Sequence, residues 1–469
     1  MKAKWGDITA RGVISPIKGE LLSGNPESPL MGICTDSREI IRGQLFWALK
    51  GERYDGHDFV KQAVEKGASG IVTKKDYRPE IPTGRDPVVI AVEDTLRALG
   101  DLAGWWRHQH NVRVAAITGS VGKTTTKEMT ANILELNAMT LKNSGNLNNL
   151  VGLPLSILLL KEGHRRAVLE MGMNRPGEIG RLTEIADPDI GLITNVARAH
   201  LEGLGDITGV ARAKAELLEK ISSEGQVILN GDDELLMRVA SQFPRTMITY
   251  GLGPKNDIRA EKIQNFGRDG ISFELKYDGD SVSIRLRSPG IQNVFNAVAA
   301  SAIAICLKEP SDHIVKGLYD FEGIKGRFML NTLPGGIILV DDTYNSNPTS
   351  LRAAIDSVKE LMANGGRVIV GLGEMLELGD ETISAHMEAG GMVAELGVYY
   401  FFAMGEHAPE MIKGAVTSGF PRDRAVVVNT HEEMGEKIRE IMKNGDLILL
   451  KGSRGMALEK VSKSLTNSS

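Results

Sequence analysis

A loop of small residues followed by one lysine and three threonines, at 119–126, has the composition of a phosphate-binding site. Backbone N–H groups of such a loop, with the positive end of the helix behind it, face an anion. A lysine at this position adds a full charge, and the next hydroxyl is placed to bind Mg²⁺. The common pattern has glycine where this chain has Ile117, so the loop is the shorter Gly-x-x-Gly-Lys-Thr form. We expect a nucleoside triphosphate to bind at Gly119, Ser120, Val121, Gly122, Lys123, Thr124 and Thr125.

The elements that must position this loop are those of a parallel sheet. Val112–Ile117 is an apolar, β-branched run that predicts a buried strand directly before the loop. Two further apolar runs, 167–172 and 190–196, end in polar residues, as parallel strands covered on both faces do. Ligands bind beyond the carboxyl ends of such strands. We therefore expect Glu170 and Asn195 to face the phosphates.

Composition and charge exclude several other classes of protein. The 55 basic and 60 acidic residues give a net charge of −5, with no long run of one sign. A nucleic-acid partner or a polybasic membrane contact would need a basic stripe. Cys34 and Cys306 imply no disulfide framework and fit a reducing compartment. No stretch reaches the ~18–20 apolar residues of a membrane span, and the N-terminus has no signal-peptide core. We expect a cytoplasmic protein without nucleic-acid or membrane partners.

The length of 469 residues predicts about three domains. The pattern favours an α/β fold with a small N-terminal domain at 1–88, a central mostly parallel sheet with helices on both faces at 89–326, and a Rossmann-like C-terminal domain at 327–469. Residues 77–87 predict a linker and Gly323–Gly326 a hinge. Residues 225–290, with alternating runs at 271–275 and 282–286, predict a peripheral hairpin. The polar loops of the first domain either hold a ligand or are solvated turns.

Several polar positions have two interpretations at this stage. The asparagines of 143–149 either contact a ligand or form a turn. His200 follows a predicted strand near the expected Mg²⁺, although a lone histidine is more often a surface or core residue. Lys214, on an alanine-rich helix, would ordinarily be a solvated charge. Three polar clusters after strands of the last domain could each be a plain turn, but their common sheet edge favours a site; they are 341–348, 373–379 and 451–455.

Set side by side, the phosphate loop and a group of later residues resemble the Mur ligase family. That group comprises Glu170, His200, Lys214, Arg327 and the run Asp342-Thr343-Tyr344-Asn345. The similarity runs from about residue 35 to 458. Its branch is indicated by Gly-Asn-Leu-Asn-Asn at 145–149, by Asp-Thr-Tyr-Asn-Ser-Asn-Pro at 342–348, by Glu-Met-x-Glu-Leu-Gly at 374–379 and by Lys-Gly-Ser-Arg-Gly-Met at 451–456. A sister branch carries Asp-Asn-Pro-Arg, which does not occur here. Two departures, Glu374 for Asp and Ser346 for Ala, keep charge or size.

The resemblance implies an enzyme of peptidoglycan precursor synthesis. Its implied reaction is ATP-driven formation of an amide between UDP-N-acetylmuramoyl-tripeptide and D-alanyl-D-alanine, through an acyl phosphate. ATP and Mg²⁺ are the implied cofactors, and a monomer is expected. Because the acyl phosphate must be protected from water, the third domain is expected to close over the site at the 323–326 hinge.

The resemblance also implies roles for individual residues. The implied catalytic residues are Lys123, Lys214, His200 and Glu170. The implied metal ligands are Thr124, Glu170, His200 and a carbamylated Lys214. Nucleotide contacts beyond the loop are implied for Asn293, Asn296, Arg327, Asp342 and Asn345. Substrate contacts are implied for Ser37, Arg38, Asn146, Asn148, Asn149, Asn347, Lys451, Ser453 and Arg454.

Two other functions share some of these features. A folylpolyglutamate synthetase-like ligase has the same loop and metal chemistry, but that relative begins close to its phosphate loop and lacks the polar first domain. A nucleotide-gated binding or scaffold protein would hydrolyse ATP slowly to change shape. Only a ligase requires both a carboxylate and an amine substrate before it releases phosphate.

Overall fold

The computed structural model describes residues 5–362 and 366–467, which fold into three α/β units, each built on its own sheet. The three sheets contain five, nine and six strands in chain order. The α/β class and the three-domain organisation predicted from the sequence are therefore confirmed. Within the described residues, no helix is both long and apolar enough to cross a membrane.

The first unit is a five-stranded sheet with two short helices. Its strands are β1 (Glu20–Ser23), β2 (Ile33–Cys34), β3 (Leu45–Trp47), β4 (Gly70–Lys74) and β5 (Val88–Val92), and its helices are α1 (Ala10–Ile14) and α2 (Val60–Glu65). The strand order is β1-β5-β4-β3-β2, with β1 antiparallel and the other pairs parallel. Because β5 pairs with β4 and β1, the first sheet extends to Val92, beyond the expected limit at residue 88.

The central unit is a nine-stranded sheet covered by helices on both faces. Its strands are β6 (Arg113–Thr118), β7 (Thr140–Lys142), β8 (Arg166–Glu170), β9 (Ile190–Ile193), β10 (Gln226–Asn230), β11 (Ile248–Gly251), β12 (Ile258–Asn265), β13 (Ile271–Tyr277) and β14 (Asp280–Leu286). Its helices are α3 (Thr95–His108), α4 (Lys123–Glu135), α5 (Gly152–Ile157), α6 (Glu178–Ala186), α7 (Leu201–Leu204), α8 (Ile207–Lys220), α9 (Glu234–Ala240), α10 (Ile291–Cys306) and α11 (Ser311–Tyr319).

Strand β6 occupies the point where the strand order reverses. The sheet order is β14-β13-β12-β11-β10-β9-β6-β8-β7, and all pairs from β7 to β12 are parallel. The chain leaves β6 through α4, forms β7 and β8 on one side, and then crosses to β9 on the other side. Five of the six residues of β6 are buried, as expected for an apolar strand in the interior of a parallel sheet. A reversal of this kind opens a crevice at the carboxyl end of the strands.

The predicted hairpin at 271–286 is present, but it belongs to the central sheet rather than standing apart from it. β13 pairs antiparallel with β14, and β13 also pairs antiparallel with β12. The two turn residues, Asp278 and Gly279, both have positive φ, at 48° and 85°. Asp-Gly with two positive φ angles is the sequence that a two-residue hairpin turn prefers.

The third unit is a six-stranded sheet. Its strands are β15 (Met329–Leu333), β16 (Ile337–Asp342), β17 (Val368–Gly373), β18 (Tyr400–Met404), β19 (Ala425–Val428) and β20 (Leu447–Lys451). Its helices are α12 (Pro348–Leu361), α13 (Thr382–Leu396), α14 (Ala408–Thr417), α15 (His431–Ile441) and α16 (Glu459–Thr466). The order is β15-β16-β20-β17-β18-β19, and only the β15–β16 pair is antiparallel.

The first two units share an apolar core, whereas the third has its own. One cluster of buried residues runs from Ala10 in the first unit to Ala240 in the central one, and Trp5 stacks on Trp106 with 4.4 Å between ring centroids. The apolar clusters of the third unit contain only residues from Phe328 onward. In the part of the chain that the structure describes, the third unit therefore shares no apolar cluster with the central unit.

Candidate active site

The phosphate loop joins β6 to α4, and two glycines give it its shape. Gly119 has φ 146°, and a Cβ there would lie 1.8 Å from Oγ1 of Thr194. Gly122 has φ 87°, and a Cβ there would lie 2.4 Å from Oδ1 of Asn296. Both positions therefore exclude a side chain, on steric grounds and because of the backbone conformation.

Asn195 holds the loop from the end of the neighbouring strand β9. Its Oδ1 accepts a hydrogen bond from the N–H of Val121 at 2.9 Å, and its Nδ2 donates to the carbonyl of Val121 at 3.0 Å. Its backbone carbonyl accepts from the N–H of Ser120 at 3.0 Å. Asn195 thus lies where the sequence predicted, but its amide bonds the loop backbone, so it shapes the cradle instead of offering free donors to a phosphate.

Lys123, the first residue of α4, folds back over the loop. Its Nζ donates to the carbonyl of Gly119 at 2.8 Å. Burial lowers the pKa of Lys123; the charge of Glu170 opposes this shift and the charge of Arg327 adds to it. Two cations that face one buried region are stabilised by an anion between them. A polyphosphate has the charge and the oxygen atoms to fill that role.

Glu170, the last residue of β8, lies beside the first turn of α4. The hydroxyl of Thr124 donates to Oε2 of Glu170 at 2.7 Å, and Nδ2 of Asn148 donates to Oε1 at 2.9 Å. A hydroxyl and a carboxylate are the hard oxygen ligands that Mg²⁺ takes, completed by waters and by phosphates of the substrate. No group of three or more His, Cys, Asp or Glu side chains able to hold a metal occurs among residues 5–362 and 366–467. The donors present fit a magnesium ion that depends on nucleotide oxygens, rather than an all-protein metal site.

Lys214 lies on α8 with 2 % of its surface exposed, so its interpretation as a solvated charge is wrong. Burial, and secondarily the charge of Lys123, hold the pKa of Lys214 well below its usual value. No hydrogen bond or ion pair to its ammonium is present in the part of the chain that the structure describes. Burial of this kind favours the neutral amine, which is the form of lysine that can react with an electrophile.

His200 lies just before the short helix α7, with φ 57°, and faces the third unit. Its Nδ1 is 2.6 Å from Oε2 of Glu377. The contact is close, but its alignment falls outside that of a hydrogen bond. The neighbouring imidazole lowers the pKa of the Glu377 carboxyl. The predicted metal ligand of the central unit is thus in contact with a carboxylate of another unit.

A cleft of about 590 Å³ lies between the phosphate loop and the third unit. The sequence-predicted residues that line it are Ser120, Val121, Gly122, Lys123, Thr124, Thr125, Asn293, Asn296, Arg327, Asp342, Asn345, Asn347 and Lys451. Those that do not line it are Gly119, Glu170, His200, Lys214, Ser37, Arg38, Asn146, Asn148, Asn149, Ser453 and Arg454. Most predicted nucleotide contacts therefore meet in one cavity.

Arg327 is the third unit's principal cation in this cleft. Its guanidinium lies over the ring of Tyr344, with Cζ 4.1 Å from the ring centroid. Its buried Nε has no hydrogen-bond partner within residues 5–362 and 366–467. A buried unpaired donor is costly, and this one belongs to a side chain that lines the cleft. Arg327 is therefore suited to bind an oxyanion.

Lys451 and Asp342 form a buried pair at the ends of β20 and β16. Nζ of Lys451 is 2.7 Å from Oδ2 of Asp342 and donates to the carbonyl of Asn345 at 2.9 Å. Oδ1 of Asp342 accepts from the N–H of Phe328 at 3.1 Å. The pair fixes the start of the third sheet beside the cleft, and the charge of Lys451 is already matched within the protein.

Other predicted substrate residues have partners within their own loops. Asn149 accepts from the N–H groups of Val151 and Gly152, in the turn that leads into α5, and Asn146 is exposed. Asn347 caps α12 in a capping box with Ser350. The hydroxyl of Ser453 accepts from the N–H of Leu376 and donates to the carbonyl of Ser346. Arg454 is 62 % exposed and paired with Glu459.

Ser37 and Arg38 lie in the first unit, after β2. The hydroxyl of Ser37 donates to Oε1 of Gln62 at 2.6 Å. Arg38 pairs with Asp36 at 2.7 Å, and this contact lowers the pKa of Asp36 to about 2. The guanidinium of Arg38 remains exposed to solvent.

Sequence reasoning missed a wall of the cleft formed after β10 and β11. Asn230, Asp232 and Tyr250 line the cavity, and the hydroxyl of Tyr250 donates to the carbonyl of Thr194 at 3.0 Å. The signal was present, because Asn-Gly-Asp-Asp at 230–233 follows an apolar run just as the other polar clusters do. This cluster falls inside residues 225–290, for which the alternating pattern predicts a peripheral hairpin rather than a site.

The sequence matches three families of domain that follow one another along the chain. Residues 29–107 match the Mur ligase family catalytic domain, residues 117–304 the Mur ligase middle domain, and residues 326–454 the Mur ligase glutamate ligase domain. The UDP-N-acetylmuramoyl-tripeptide–D-alanyl-D-alanine ligase of Bacillus subtilis is 36 % identical over 461 residues, which covers 98 % of each chain. The chain belongs to the Mur ligase family.

Solved structures agree with this membership of the Mur ligase family. A crystal structure of MurF from Acinetobacter baumannii superposes with a TM-score of 0.89 and 34 % identity, covering 98 % of each chain. The MurF ligase of Thermotoga maritima, solved in complex with ADP, has a TM-score of 0.82 and 27 % identity, covering 93 % of this chain and 97 % of that one. The family resemblance inferred from the motifs is confirmed.

Proposed function

We propose that this chain is an ATP-dependent ligase that joins D-alanyl-D-alanine to UDP-N-acetylmuramoyl-tripeptide in peptidoglycan precursor synthesis. The observation that carries the proposal is the single cleft in which the phosphate loop faces Arg327 and Asp342. Relatives that match nearly the whole chain bear the name of this ligase. The names of these full-length relatives favour this reaction over the folylpolyglutamate synthetase-like alternative.

ATP is the proposed nucleotide. The loop amides, Lys123 and Arg327 would hold its β- and γ-phosphates, since both side chains line the cleft and the Nε of Arg327 has no partner among the described residues. Asn293 and Asn296, at the start of α10, line the same cavity and are proposed to contact the base. The ADP named in complex with the Thermotoga maritima relative supports an adenine nucleotide as the ligand.

Two Mg²⁺ ions are the proposed metal cofactors, with Thr124 and Glu170 at the first and His200 and Lys214 at the second. When bound, they would neutralise the charge that accumulates on the transferring phosphoryl group. Lys214 is proposed to carry a carbamate, which would turn a buried amine into an oxygen ligand. Its burial and lowered pKa support this, because only the neutral amine attacks CO₂.

The proposed reaction has two steps. The terminal carboxylate of the tripeptide attacks the γ-phosphorus, ADP leaves, and an acyl phosphate forms. The amine of D-alanyl-D-alanine then attacks the acyl carbon, and the tetrahedral intermediate expels inorganic phosphate. Lys123 and Arg327 would stabilise the negative charge that develops in the first step, and such electrostatic stabilisation is usually the largest catalytic term.

The three units are proposed to divide the substrates among them, with the first domain extended to Val92 and the second ending near residue 326. Ser37 and the exposed Arg38 of the first unit would contact the uridine nucleotide. Arg454, exposed at the carboxyl end of the third sheet, would contact the carboxylate of D-alanyl-D-alanine. Lys451, Ser453 and Asn347 would act through the loops that they hold.

The enzyme is proposed to act as a monomer in the cytoplasm. One chain supplies both walls of the cleft, so no second copy is needed to complete it. The two cysteines, Cys34 and Cys306, are free thiols, which suits a reducing compartment. Light scattering on a size-exclusion column would measure the mass expected for 50.8 kDa.

Phosphate release measured with each substrate omitted in turn tests the proposed reaction. We expect phosphate only when ATP, Mg²⁺, UDP-N-acetylmuramoyl-tripeptide and D-alanyl-D-alanine are all present, with one amide formed for each phosphate. Release at the same rate without the dipeptide would instead support the scaffold ATPase, because a nucleotide switch needs no amine. Mass spectrometry of the product identifies the bond formed.

A further inference from the structure

Asn143, a residue of the asparagine-rich stretch that the proposed mechanism does not use, clamps the backbone of Glu170. It is 1 % exposed. Its Oδ1 accepts from the N–H of Glu170 at 2.9 Å, and its Nδ2 donates to the carbonyl of the same residue at 3.0 Å. The same Nδ2 donates to the carbonyl of Leu147 at 2.8 Å. One side-chain amide thus ties the end of β8 to the loop that carries Asn148.

Lys127 holds Asn143 in turn. Its side chain is fully buried, and its Nζ donates to the backbone carbonyl of Asn143 at 2.6 Å. Lys127 follows Thr124 by three residues on α4, so the two side chains lie on adjoining positions of one helix face. Through Lys127 and Asn143, the helix that presents the Thr124 hydroxyl is connected to the backbone of Glu170, whose carboxylate accepts from that hydroxyl.

Burial of the Lys127 ammonium needs an explanation beyond its ion pair. Nζ of Lys127 is 2.9 Å from Oε1 of Glu128, but Nζ of Lys142 is 2.8 Å from Oε2 of the same carboxylate. Glu128 therefore has a second, partly exposed cation as a partner. A fully buried charge is costly unless its hydrogen bonds are well placed. Lys127 differs from Lys142 in its hydrogen bond to the carbonyl of Asn143, so this bond is what compensates for its burial.

We infer that Lys127 and Asn143 are positioning residues that fix the Glu170 carboxylate for the first Mg²⁺. The inference rests on the proposed function, which places that ion at Thr124 and Glu170. Both oxygens of Glu170 already have defined partners, in Thr124 and Asn148, so a shift of its backbone would misplace the carboxylate against both. Groups that orient a metal ligand typically contribute about 10–100-fold to metal affinity.

The test compares Lys127→Met with Lys142→Met. Each variant removes one cation from Glu128 and leaves the other, but only Lys127→Met also removes the bond to Asn143. Binding of Mn²⁺ in the presence of ADP, measured by electron paramagnetic resonance, is the main readout. We expect about 10–100-fold weaker Mn²⁺ binding in Lys127→Met, and binding near the wild-type value in Lys142→Met. ADP binding measured calorimetrically in EDTA should stay unchanged in both.

A second readout separates positioning from general damage to the fold. The Mg²⁺ concentration for half-maximal activity should rise in Lys127→Met, with turnover recovered at saturating Mg²⁺. Should Lys127→Met fail to fold, Asn143→Asp decides, because it keeps the size and the bond from the Glu170 N–H but removes both donated bonds. A folded variant with wild-type Mn²⁺ affinity would overturn the inference.

These outcomes are distinguishable from failure of the proposed function. A wild-type protein that binds no Mn²⁺·ADP, or that releases phosphate without the dipeptide, would overturn the proposed function and this inference with it. A wild-type protein that passes both tests, with a folded Lys127→Met or Asn143→Asp variant that binds Mn²⁺ equally well, would remove only the positioning roles.

Discussion

The two walls of the cleft are joined to the rest of the protein in different ways. On the central wall, Thr124 and Asn148 bond Glu170, and Asn195 bonds the loop, all within one sheet edge. The third unit reaches the same cleft through contacts at its border with the central unit. These contacts include Glu377 to His200 at 2.6 Å, Glu388 to Arg198 at 2.8 Å, Ser357 to Gln292 at 2.7 Å and Glu360 to Asn265 at 2.6 Å.

This difference indicates which wall is preformed and which can move. The central wall is held by buried bonds near a strand reversal, so it needs no partner to keep its shape. Among the described residues, the third wall meets the central wall through polar contacts and shares no apolar cluster with it. The chain enters the third wall through Gly323 and Gly326, with φ 89° and 75°. Such a wall can open for substrates and close to exclude water from an acyl phosphate.

The largest effect is expected from Lys214→Ala, which removes the one buried lysine of the central wall proposed to bind metal. Turnover should fall about 10³-fold, which is the upper end of the range expected when one electrostatic stabiliser of the transition state is removed. Short carboxylates such as formate or acetate should restore part of the activity, because they can occupy the place of the carbamate. Steady-state kinetics with and without added carboxylate measure both effects.

A matched control for that variant lies on the same helix. Lys220→Ala removes an exposed pair with Glu184 at 2.9 Å, and exposed pairs contribute only about 0–1 kcal/mol. It should leave turnover unchanged. If Lys214→Ala were inactive, gave no rescue and bound metal normally, the carbamate would be the wrong assignment.

Lys123→Ala is expected to reduce turnover by about 10²–10³-fold. Its ammonium is the loop's own cation, and the remaining N–H groups of the loop cannot replace a full charge. Calorimetry should show weaker ADP binding together with the kinetic loss. Lys142→Ala, a lysine of the same unit outside the cleft, serves as the control, and near-normal activity of Lys123→Ala would refute the nucleotide site.

Arg327→Met tests the third wall, and its effect should be smaller. A hydrogen bond to a charged group contributes about 1.5–3 kcal/mol, which corresponds to about 10–100-fold in kcat/KM for ATP. Arg285→Met is the matched control, because Arg285 also lies over an aromatic ring, that of Phe266 at 3.9 Å, but at the far edge of the central sheet. Equal effects of the two changes would show that loss of the ring contact, not of an oxyanion contact, is what matters.

The central wall could be predicted from the sequence because its signals are local. The β-branched strand, the glycine spacing, Lys123 and Thr124 occupy one short stretch, and the position of Glu170 follows from the end of the next apolar run. Parallel pairing then brings the phosphate loop and Glu170 to one edge of the sheet, as the registers of β6, β8 and β9 confirm. The three-domain α/β organisation followed from the same alternation of strands and helices.

Contacts between units were beyond sequence reasoning. The pairing of His200 with Glu377 depends on how the third unit sits against the central one, which no local period encodes. Neighbouring asparagines were also indistinguishable by type: Asn148 bonds a carboxylate, whereas Asn149 bonds the backbone N–H groups of the turn before α5. Their roles are set by which side of the turn each one occupies.

The smallest effect is expected from Glu388→Gln, which weakens one contact across the border between the units. Arg198 and Glu388 are 36 % and 39 % exposed, and exposed pairs contribute about 0.2–1 kcal/mol. Closure should therefore weaken by no more than about five-fold, seen as a lower kcat/KM for ATP. The deficit relative to wild type should disappear near 1 M salt, where screening acts within about 3 Å. Glu395→Gln removes an exposed pair with Arg352 inside the third unit. It should therefore change neither kcat/KM for ATP nor its dependence on salt. A deficit that persisted at high salt, or that Glu395→Gln shared, would show that the border contact does not control closure.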